Sequence, residues 1–265
     1  RDSKRLISDY GWYKGDFFRN WIGNLIHDKV GNANATFNDF KNNGLTDLYL
    51  IGANLSTGFN EVMSPEHTPR LPVADAVRIS MSLPLFFRAI KNARQDVFID
   101  GGIVRNYPVK LFDREKYIED EKLHLHGVDT EYYEVDNKTK PKTSSRYVYN
   151  KETLGFRLDS AEEIALFRDG AEPPRRDVSD FFDYCGALLR TVMNQQANAH
   201  LHSDDWQRTV YIDTLGVSTT DFDLSTANKR KLVTSGAKGV IEYFEWFDNV
   251  SNSDLPQNHP KFVSN

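Results

Sequence analysis

The chain has 265 residues, a formal net charge of −5 at pH 7, 39% hydrophobic residues and 27% charged residues. These values exclude an intrinsically disordered protein and allow a sizeable core, while the acidic balance gives no reason to expect a nucleic-acid partner. No apolar run approaches the roughly 18 residues of a membrane-spanning helix. The solitary Cys185 excludes an internal disulfide framework and is compatible with a reducing compartment.

The first third of the chain predicts two helices separated by a buried strand. The first helix has Asp16 as its candidate N-cap and one broad buried face, formed by Phe17, Phe18, Trp21, Ile22, Leu25 and Ile26. The apolar run Leu48–Leu55 predicts a strand that is covered on both sides. Val73–Met81 has a helical pattern, which Pro84 ends.

A short segment around Asp100 has two compatible interpretations. Val97–Ile99 and Ile103–Val104 are apolar and flank Asp100-Gly101-Gly102, which by itself is a signal for a hairpin or tight turn. In the functional interpretation, the glycines let the backbone bend sharply while Asp100 projects into a crevice at a strand end. Ligand sites of open α/β sheets lie at such ends.

The second half of the chain continues the alternation of helices and strands. The polar residues 113–146 predict an exposed insertion or mobile flap. A long amphipathic helix follows over Phe181–Met193, with Cys185 as a buried, inert thiol, and Arg208–Thr214 alternates like a strand. The last helix has Ser225 as its candidate N-cap and one apolar face formed by Leu232, Val233, Ala237, Val240, Ile241, Phe244 and Phe247. This alternation indicates an α/β architecture, followed by a loose tail over 250–265.

Six blocks of the chain follow one another in an order that is known from one protein family. They are Gly11–Asp16, Asn54–Gly58, Ala76–Pro84, Asp100-Gly101-Gly102 with Asn106-Tyr107-Pro108-Val109, Thr153–Leu158 and Leu215–Phe222. Together they resemble the patatin-like phospholipase family over nearly the whole chain. The resemblance implies a three-layer α/β/α fold with a central, mostly parallel sheet that is incomplete at the N-terminus. It also implies a single domain over 1–249.

The resemblance further implies a Ser–Asp dyad that hydrolyses acyl esters of lipids. In such a dyad the serine attacks the ester carbonyl and the aspartate takes its proton without a histidine. Asp100 matches the family's catalytic aspartate, and Gly101 and Gly102 complete its motif. Met81, Leu83 and Pro84 belong to the segment that borders the active site.

The family's Gly-rich oxyanion loop and its G-x-S-x-G nucleophile elbow do not occur in this sequence. The nearest match, Gly216-Val217-Ser218-Thr219-Thr220, lacks the second glycine and follows the aspartate instead of preceding it, so Ser218 is interpreted as structural. The resemblance therefore implies that the nucleophile lies outside this sequence, in an N-terminal segment of the same domain that completes the sheet. Without that segment, apolar surface should be exposed.

The expected function is that of a phospholipase A or lysophospholipase acting on phospholipid or another acyl-ester lipid. Such an enzyme meets its substrate at a transient membrane interface and uses no metal or organic cofactor. A cytoplasmic or peripherally membrane-associated location is expected. Two alternatives remain open: a non-catalytic lipid- or protein-binding module on the same scaffold, and an acyltransferase.

Other candidate groups have simpler interpretations. The pairs His124/His126 and His200/His202 lack the further ligands that a metal needs, and we interpret them, like His27, His67 and His259, as solvated or locally hydrogen-bonded. Arg175-Arg176 is typical of a solvated loop. The apolar residues Leu83, Leu85, Phe86 and Phe87 could line an acyl channel or belong to the core.

Overall fold

The computed structural model describes residues 6–139, 144–161, 163, 172, 175, 177–180, 183–188, 191–192, 204–217, 221, 223–249 and 255–260. It divides into two compact units, one formed by residues 1–106 and 180–197 and the other by residues 107–179 and 198–265. Helices alternate with parallel and antiparallel strands, so the predicted α/β class is confirmed. The three-layer arrangement and the single domain over 1–249 stay predictions.

The first unit contains most of the regular structure that surrounds Asp100. Its helices are α1 (Asp16–Val30), α2 (Phe37–Asn42), α3 (Val73–Ser80) and α4 (Gly102–Arg105). Its strands are β1 (Gly11–Tyr13), β2 (Leu50–Asn54), β3 (Phe59–Met63), β4 (Leu85–Phe87), β5 (Ile90–Lys91) and β6 (Val97–Asp100). The predicted strand at 48–55 and the predicted helix that ends at Met81 are thus confirmed.

Four of these strands form a sheet in the order β3-β2-β6-β5, and every pairing in it is antiparallel. This departs from the expected mostly parallel sheet, because β2–β3 and β5–β6 are joined by turns too short for a parallel crossover. Parallel pairing in this unit joins β1 to β4, with Gly11 opposite Leu85 and Tyr13 opposite Phe87.

The core of the first unit lies between α1, α3 and the four-stranded sheet. Helix α3 forms because its alanines and β-branched residues alternate with polar ones at helical spacing, and Pro84 prevents its continuation. Nine buried residues form the main cluster: Ile26, Ala35, Phe37, Met63, Val73, Ala74, Ala76, Ile79 and Phe98. In a smaller cluster, Ala53 on β2 and Ile99 on β6 pack with Ala89, which lies between β4 and β5.

Helix α1 differs from its prediction in two respects. Its N-cap is Gly15, which has a left-handed φ of 74°, while Asp16 is the first helical residue and accepts a hydrogen bond from Arg88. The expected broad buried face is confirmed only in part: Ile26 is buried and Phe18 and Ile22 are half-buried. The other three residues of that face, Phe17, Trp21 and Leu25, are 87%, 49% and 46% exposed. The helical periodicity correctly placed these three side chains on one face, but they pack on none of the described residues of the core.

The second unit consists of short elements followed by one long helix. It contains 3₁₀ turns at Val109–Phe112, Glu115–Tyr117, Asp120–Lys122 and Asp204–Arg208 and the helices α5 (Leu123–His126), α6 (Glu131–Thr139) and α7 (Thr226–Phe247). Its strands are β7 (Gly127–Val128), β8 (Tyr149–Asn150), β9 (Gly155–Asp159) and β10 (Thr209–Asp213). β7 and β8 pair antiparallel, whereas β9 and β10 pair in parallel.

Two predictions for local elements of this unit are confirmed. β10 occupies the predicted strand at 208–214. Ser225 caps α7, and its side chain accepts the backbone N–H of Asn228 at 3.2 Å. The apolar face of α7 is less buried than expected, since Val233 is 74% and Ile241 57% exposed while Tyr243 is buried.

Two polar segments of this unit are better packed than predicted. The described part of 113–146 forms short helices in which Asp113, Ile118 and Tyr133 are buried, so part of the segment is packed, while many of its other residues are exposed; the insertion or flap stays a prediction. In the expected loose tail, Asn258 and His259 are buried, and the ring of His259 lies 4.7 Å from that of Phe247. Contacts with α7 explain why this part of the tail is ordered.

A buried ionic network joins distant parts of the second unit. The Arg208 guanidinium donates to both oxygens of Asp113 at 2.6 Å and to Asp205 Oδ1 at 2.6 Å. Asp205 also pairs with Lys110 at 3.1 Å, and Tyr133 donates its hydroxyl to Asp113. Because both carboxylates have a cationic partner and further hydrogen bonds, we interpret the network as structural: it connects distant parts of the chain and is not a reactive site.

The predicted amphipathic helix over 181–193 falls partly outside the described residues. Residues 183–188 and 191–192 are helical, with Leu188 and Val192 exposed and Cys185 half-buried, so the thiol is less buried than expected. Within the described part of the chain, every helix is too short or too polar to cross a lipid bilayer.

Candidate active site

Asp100 is the last residue of β6, at the end of a buried strand. Phe98 and Ile99 precede it and are 6% and 5% exposed, and the strand pairs with β2 so that Asp100 lies opposite Gly52. The apolar residues fix the strand in the core, and the side chain of its last residue therefore lies where the strand leaves the sheet. Asp100 itself is half-buried.

Of the two predicted possibilities, a hairpin or a tight turn, the Asp-Gly-Gly segment forms a tight turn, which leads from a strand into a helix that contains Ile103 and Val104. Gly101 has φ −69° and ψ −19°, and Gly102 begins α4. These angles suit any residue, so the glycine is needed for another reason. A Cβ at Gly101 would lie 2.5 Å from the carbonyl oxygen of Ile51, which means that the turn passes directly over the backbone of β2.

The two carboxylate oxygens of Asp100 have different environments. Oδ1 accepts the backbone N–H of Gly102 at 2.8 Å. Among the described residues, none donates a hydrogen bond to Oδ2. Burial raises the pKa of Asp100, and the hydrogen bond from Gly102 opposes that rise. The arrangement gives a carboxylate that is oriented through one oxygen and is more basic than a solvated aspartate.

The helix-to-proline segment after α3 lies beside this carboxylate. The Ser82 carbonyl accepts the backbone N–H of Asp100 at 3.0 Å, which brings the segment against the end of β6. Met81, Leu83 and Pro84 adjoin Ser82 and are half-buried. Their predicted role in lining an active site stays a prediction, but the structure brings their segment to the residue that the motif singled out.

Two further residues of this neighbourhood were missed by the sequence reasoning. Arg78 and Ser82 are 3% and 0% exposed, and Arg78 Nη1 donates to Ser82 Oγ at 2.5 Å. Burial lowers the pKa of Arg78 to about 10, so the guanidinium stays charged at neutral pH. The available signal was an arginine in a helix of mostly apolar residues, four residues before a serine and shortly before a proline.

Within the described ranges of the chain, the remaining candidates do not form a second site. No group of three or more potential metal ligands occurs among the residues that the structure describes. His126 lies on α5 and pairs with Glu152 at 3.1 Å, while His200, His202 and Ser218 fall outside the described residues. Ser64 Oγ lies 2.8 Å from His67 Nδ1, and Ser64 is fully buried.

The structure also shows the surroundings of one arginine of the pair in the predicted loop and of the apolar residues after Pro84. Arg175 is exposed, as expected of a solvated loop, and Arg176 falls outside the described residues. Leu85 is 42% exposed, whereas Phe86 and Phe87 are half-buried, with the Phe86 ring 4.9 Å from that of Tyr13. These aromatic side chains belong to the packing between β1 and β4.

Comparison with known proteins finds a family model that matches the stretch around this site. Residues 3–113 match the family model of patatin-like phospholipase, and this stretch contains Arg78, Ser82 and Asp100. The blocks at 153–158 and 215–222 lie outside the matched stretch. The chain is also similar to the uncharacterized protein YqhO of Bacillus subtilis (strain 168), with 25% identity over 238 residues that cover 86% of this chain.

Two other similarities were found. The uncharacterized protein R571 of Acanthamoeba polyphaga mimivirus is 25% identical over 236 residues, or 89% of this chain. The chain spans 65% of the length of each of these curated relatives. The crystal structure of VipD from Legionella pneumophila aligns with 81% of this chain and 35% of its own, at a TM-score of 0.42 and 16% identity. Residues 3–113, which include the strand-to-helix turn at Asp100, thus match the patatin-like phospholipase family model over the first part of the chain.

Proposed function

We propose that this chain is the aspartate-bearing part of a lipid acyl hydrolase, with Asp100 as the general base. The observation that carries the proposal is the state of the Asp100 carboxylate. It is half-buried at a strand end, its pKa is raised by burial, and its Oδ1 is fixed by the Gly102 N–H. These are the properties that a carboxylate needs to accept a proton from an alcohol.

The proposed reaction uses a serine that lies outside the present sequence. Asp100 accepts the serine proton as the hydroxyl oxygen attacks the carbonyl carbon of the ester. The proton then passes to the departing alcohol as the tetrahedral intermediate collapses to an acyl-enzyme. Water attacks this ester in the second half of the cycle, with Asp100 again accepting the proton and then returning it to the serine.

An exposed apolar face supports the proposal that another segment packs on the first unit. Phe17, Trp21 and Leu25 lie four residues apart on α1 and form one exposed face. An apolar face of this kind is typical of a surface that is covered in the complete protein. We propose that the segment with the serine covers it.

Two observations favour a protein segment over a lipid surface as the occupant. Among the described strands, β1 pairs only with β4, and parallel strands normally lie inside larger sheets that are covered on both faces. In addition, the curated relatives are longer than this chain, which spans 65% of their length. The relatives therefore have enough additional chain to contain a further strand and helix.

The proposed substrate is a phospholipid or another acyl-ester lipid, as the family's description suggests. Hydrolysis and acyl transfer share the acyl-enzyme and differ only in the acceptor of the second step. Product analysis in water, with and without an added alcohol, separates the two.

The test is hydrolysis of a short-chain aryl ester and of phospholipid vesicles by the full-length protein. Asp100→Asn should lower kcat by about 10²–10⁴-fold, the usual contribution of a general base. Asp96→Asn is the matched control, because Asp96 precedes the same strand and, among the described residues, its carboxylate accepts only the side-chain N–H of nearby Asn92. Wild-type turnover by Asp100→Asn would overturn the proposal, and a wild-type protein without esterase activity would favour a binding module.

A further inference from the structure

Arg78 is a buried arginine that forms no hydrogen bond or ion pair with a carboxylate in the part of the chain that the structure describes, although the charge of Asp16 acts on it from a distance. Buried arginines are normally paired with an acid, because an isolated charge is costly to remove from water. The Arg78 guanidinium instead donates to neutral oxygens: Nη2 donates to the Lys14 carbonyl at 2.6 Å and to the Arg88 carbonyl at 2.9 Å. Its Nη1 donates to Ser82 Oγ.

These contacts hold three separate segments together. Lys14 precedes α1, Arg88 follows β4, and Ser82 lies in the turn after α3. The approach is close enough to require a glycine at the start of α1, since a Cβ at Gly15 would lie 2.6 Å from Arg78 Cζ. The planar guanidinium can bridge acceptors in several directions at once, which a lysine ammonium on a flexible chain cannot reproduce.

Ser82 transmits this constraint to Asp100. Its hydroxyl accepts from Arg78 Nη1 at 2.5 Å and donates to the Arg78 carbonyl at 2.7 Å, so the side chain is fixed from both sides. Its own carbonyl accepts the Asp100 N–H at 3.0 Å. The backbone of Asp100 is therefore held by the segment after α3 as well as by its pairing with Gly52.

We propose that Arg78 is a positioning residue for Asp100, acting through the Ser82 hydroxyl and carbonyl and not through its own charge. This inference rests on the proposed role of Asp100 in proton transfer. In this role, the buried arginine keeps the end of β6 at a fixed distance from the turn after α3. The catalytic carboxylate is thereby oriented on both sides, through its backbone N–H by Ser82 and through Oδ1 by Gly102.

The experiment compares four variants of the full-length protein: Arg78→Met, Arg78→Lys, Ser82→Ala and the control Arg19→Met. Arg19 belongs to the same unit and pairs with Asp75 on α3 at 2.8 Å, but it does not contact Ser82 or Asp100. Two quantities are measured well below the unfolding temperature: the hydrogen-exchange rate of the Asp100 amide, and the pH dependence of kcat and kcat/KM for a short-chain ester.

Arg78→Met and Arg78→Lys should both accelerate exchange of the Asp100 amide by about tenfold or more, because the Ser82 carbonyl is no longer held in place. In both variants kcat should fall by about 10²-fold with little change in KM, the usual cost of misplacing a catalytic group. The acidic limb of the pH profile should move to lower pH, because a better hydrated Asp100 loses the pKa elevation that burial causes. Arg19→Met should change none of these quantities.

Unchanged protection of the Asp100 amide and an unmoved acidic limb in folded Arg78→Met would overturn the inference. Full rescue by Arg78→Lys would also contradict it, because charge alone would then suffice. If Arg78→Met does not fold, Ser82→Ala is the deciding variant, since it removes the hydroxyl and keeps the carbonyl. Exchange of the Asp100 amide should then be accelerated in Ser82→Ala, and an unchanged exchange rate would overturn the inference. If the wild-type protein hydrolyses no ester, the proposed function fails, while the exchange rates still test the positioning of Asp100.

Discussion

Gly101→Ala is expected to destabilise the protein, although the backbone angles at Gly101 suit an alanine. With φ −69° and ψ −19°, the substitution brings no dihedral strain. The added methyl carbon, however, would lie 2.5 Å from the Ile51 carbonyl oxygen and 2.6 Å from the Ile51 Cγ2, whereas ordinary contact begins near 3.4 Å. The nearest atoms belong partly to the backbone of β2 and cannot rotate away.

Gly101→Ala should therefore lower the free energy of unfolding, because the turn must move away from β2 to make room for the methyl group. Overpacking of this kind typically costs about 1–3 kcal/mol, which corresponds to about 2–4 °C in Tm for each kcal/mol in a domain of this size. Gly236→Ala is the matched control. Gly236 lies inside α7, and a Cβ there meets no atom within 4 Å, so the same substitution should stabilise the helix by about 0.5–1 kcal/mol.

The assay is chemical and thermal unfolding of the full-length protein, with ester hydrolysis measured in parallel. Gly101→Ala should lower both the unfolding midpoint and kcat, since relief of the overlap moves the residue next to Asp100. A Gly101→Ala variant with wild-type stability would refute the reasoning, because it would mean that the turn does not pass over Ile51.

Three other substitutions test separate parts of the account. Burial raises the pKa of Asp100 in the folded state, so the folded protein is destabilised by ionisation of this carboxyl as the pH rises through that pKa. Asp100→Asn should therefore raise Tm at neutral pH, with the gain disappearing at acid pH below the ordinary aspartate pKa, and an equal Tm at pH 7 would contradict the burial. Arg208→Met should lower the free energy of unfolding by about 3–5 kcal/mol, because Asp113 and Asp205 lose their charge partner. The control Arg175→Met, at an exposed residue, should change it by less than about 0.5 kcal/mol. Equal effects of the two substitutions in urea unfolding would contradict the buried network. Phe17→Ser in the full-length protein should cost more than about 2 kcal/mol if its face is covered as proposed, against less than about 0.5 kcal/mol for Asn24→Ser, and a small effect of Phe17→Ser would favour a face open to solvent or lipid.

The local elements were predictable because their signals lie within a few residues of one another. Pro84 sets the end of α3, Ser225 caps α7, and the alternation at 208–214 predicts β10. The motif at Asp100 also predicted a strand end with glycines after it. The helix that follows was missed because an Asp-Gly pair between apolar residues is more typical of a hairpin.

The long-range features were not predictable from such patterns. Helical periodicity groups Phe17, Trp21 and Leu25 on one face but does not say whether that face meets a neighbour. The role of Gly101 depends on its distance from Ile51, which no spacing in the sequence encodes. Likewise, the Arg78 contacts reach Lys14, a residue 64 positions earlier, and only the folded chain brings the two together.

The most direct test of the central claim is labelling of the full-length protein with a fluorophosphonate, followed by mapping of the modified peptide. We expect a single modified serine outside the present sequence, and labelling that is slower by about 10²–10⁴-fold in Asp100→Asn. A modified serine within this chain, no modification at all, or labelling of Asp100→Asn at the wild-type rate would contradict the claim.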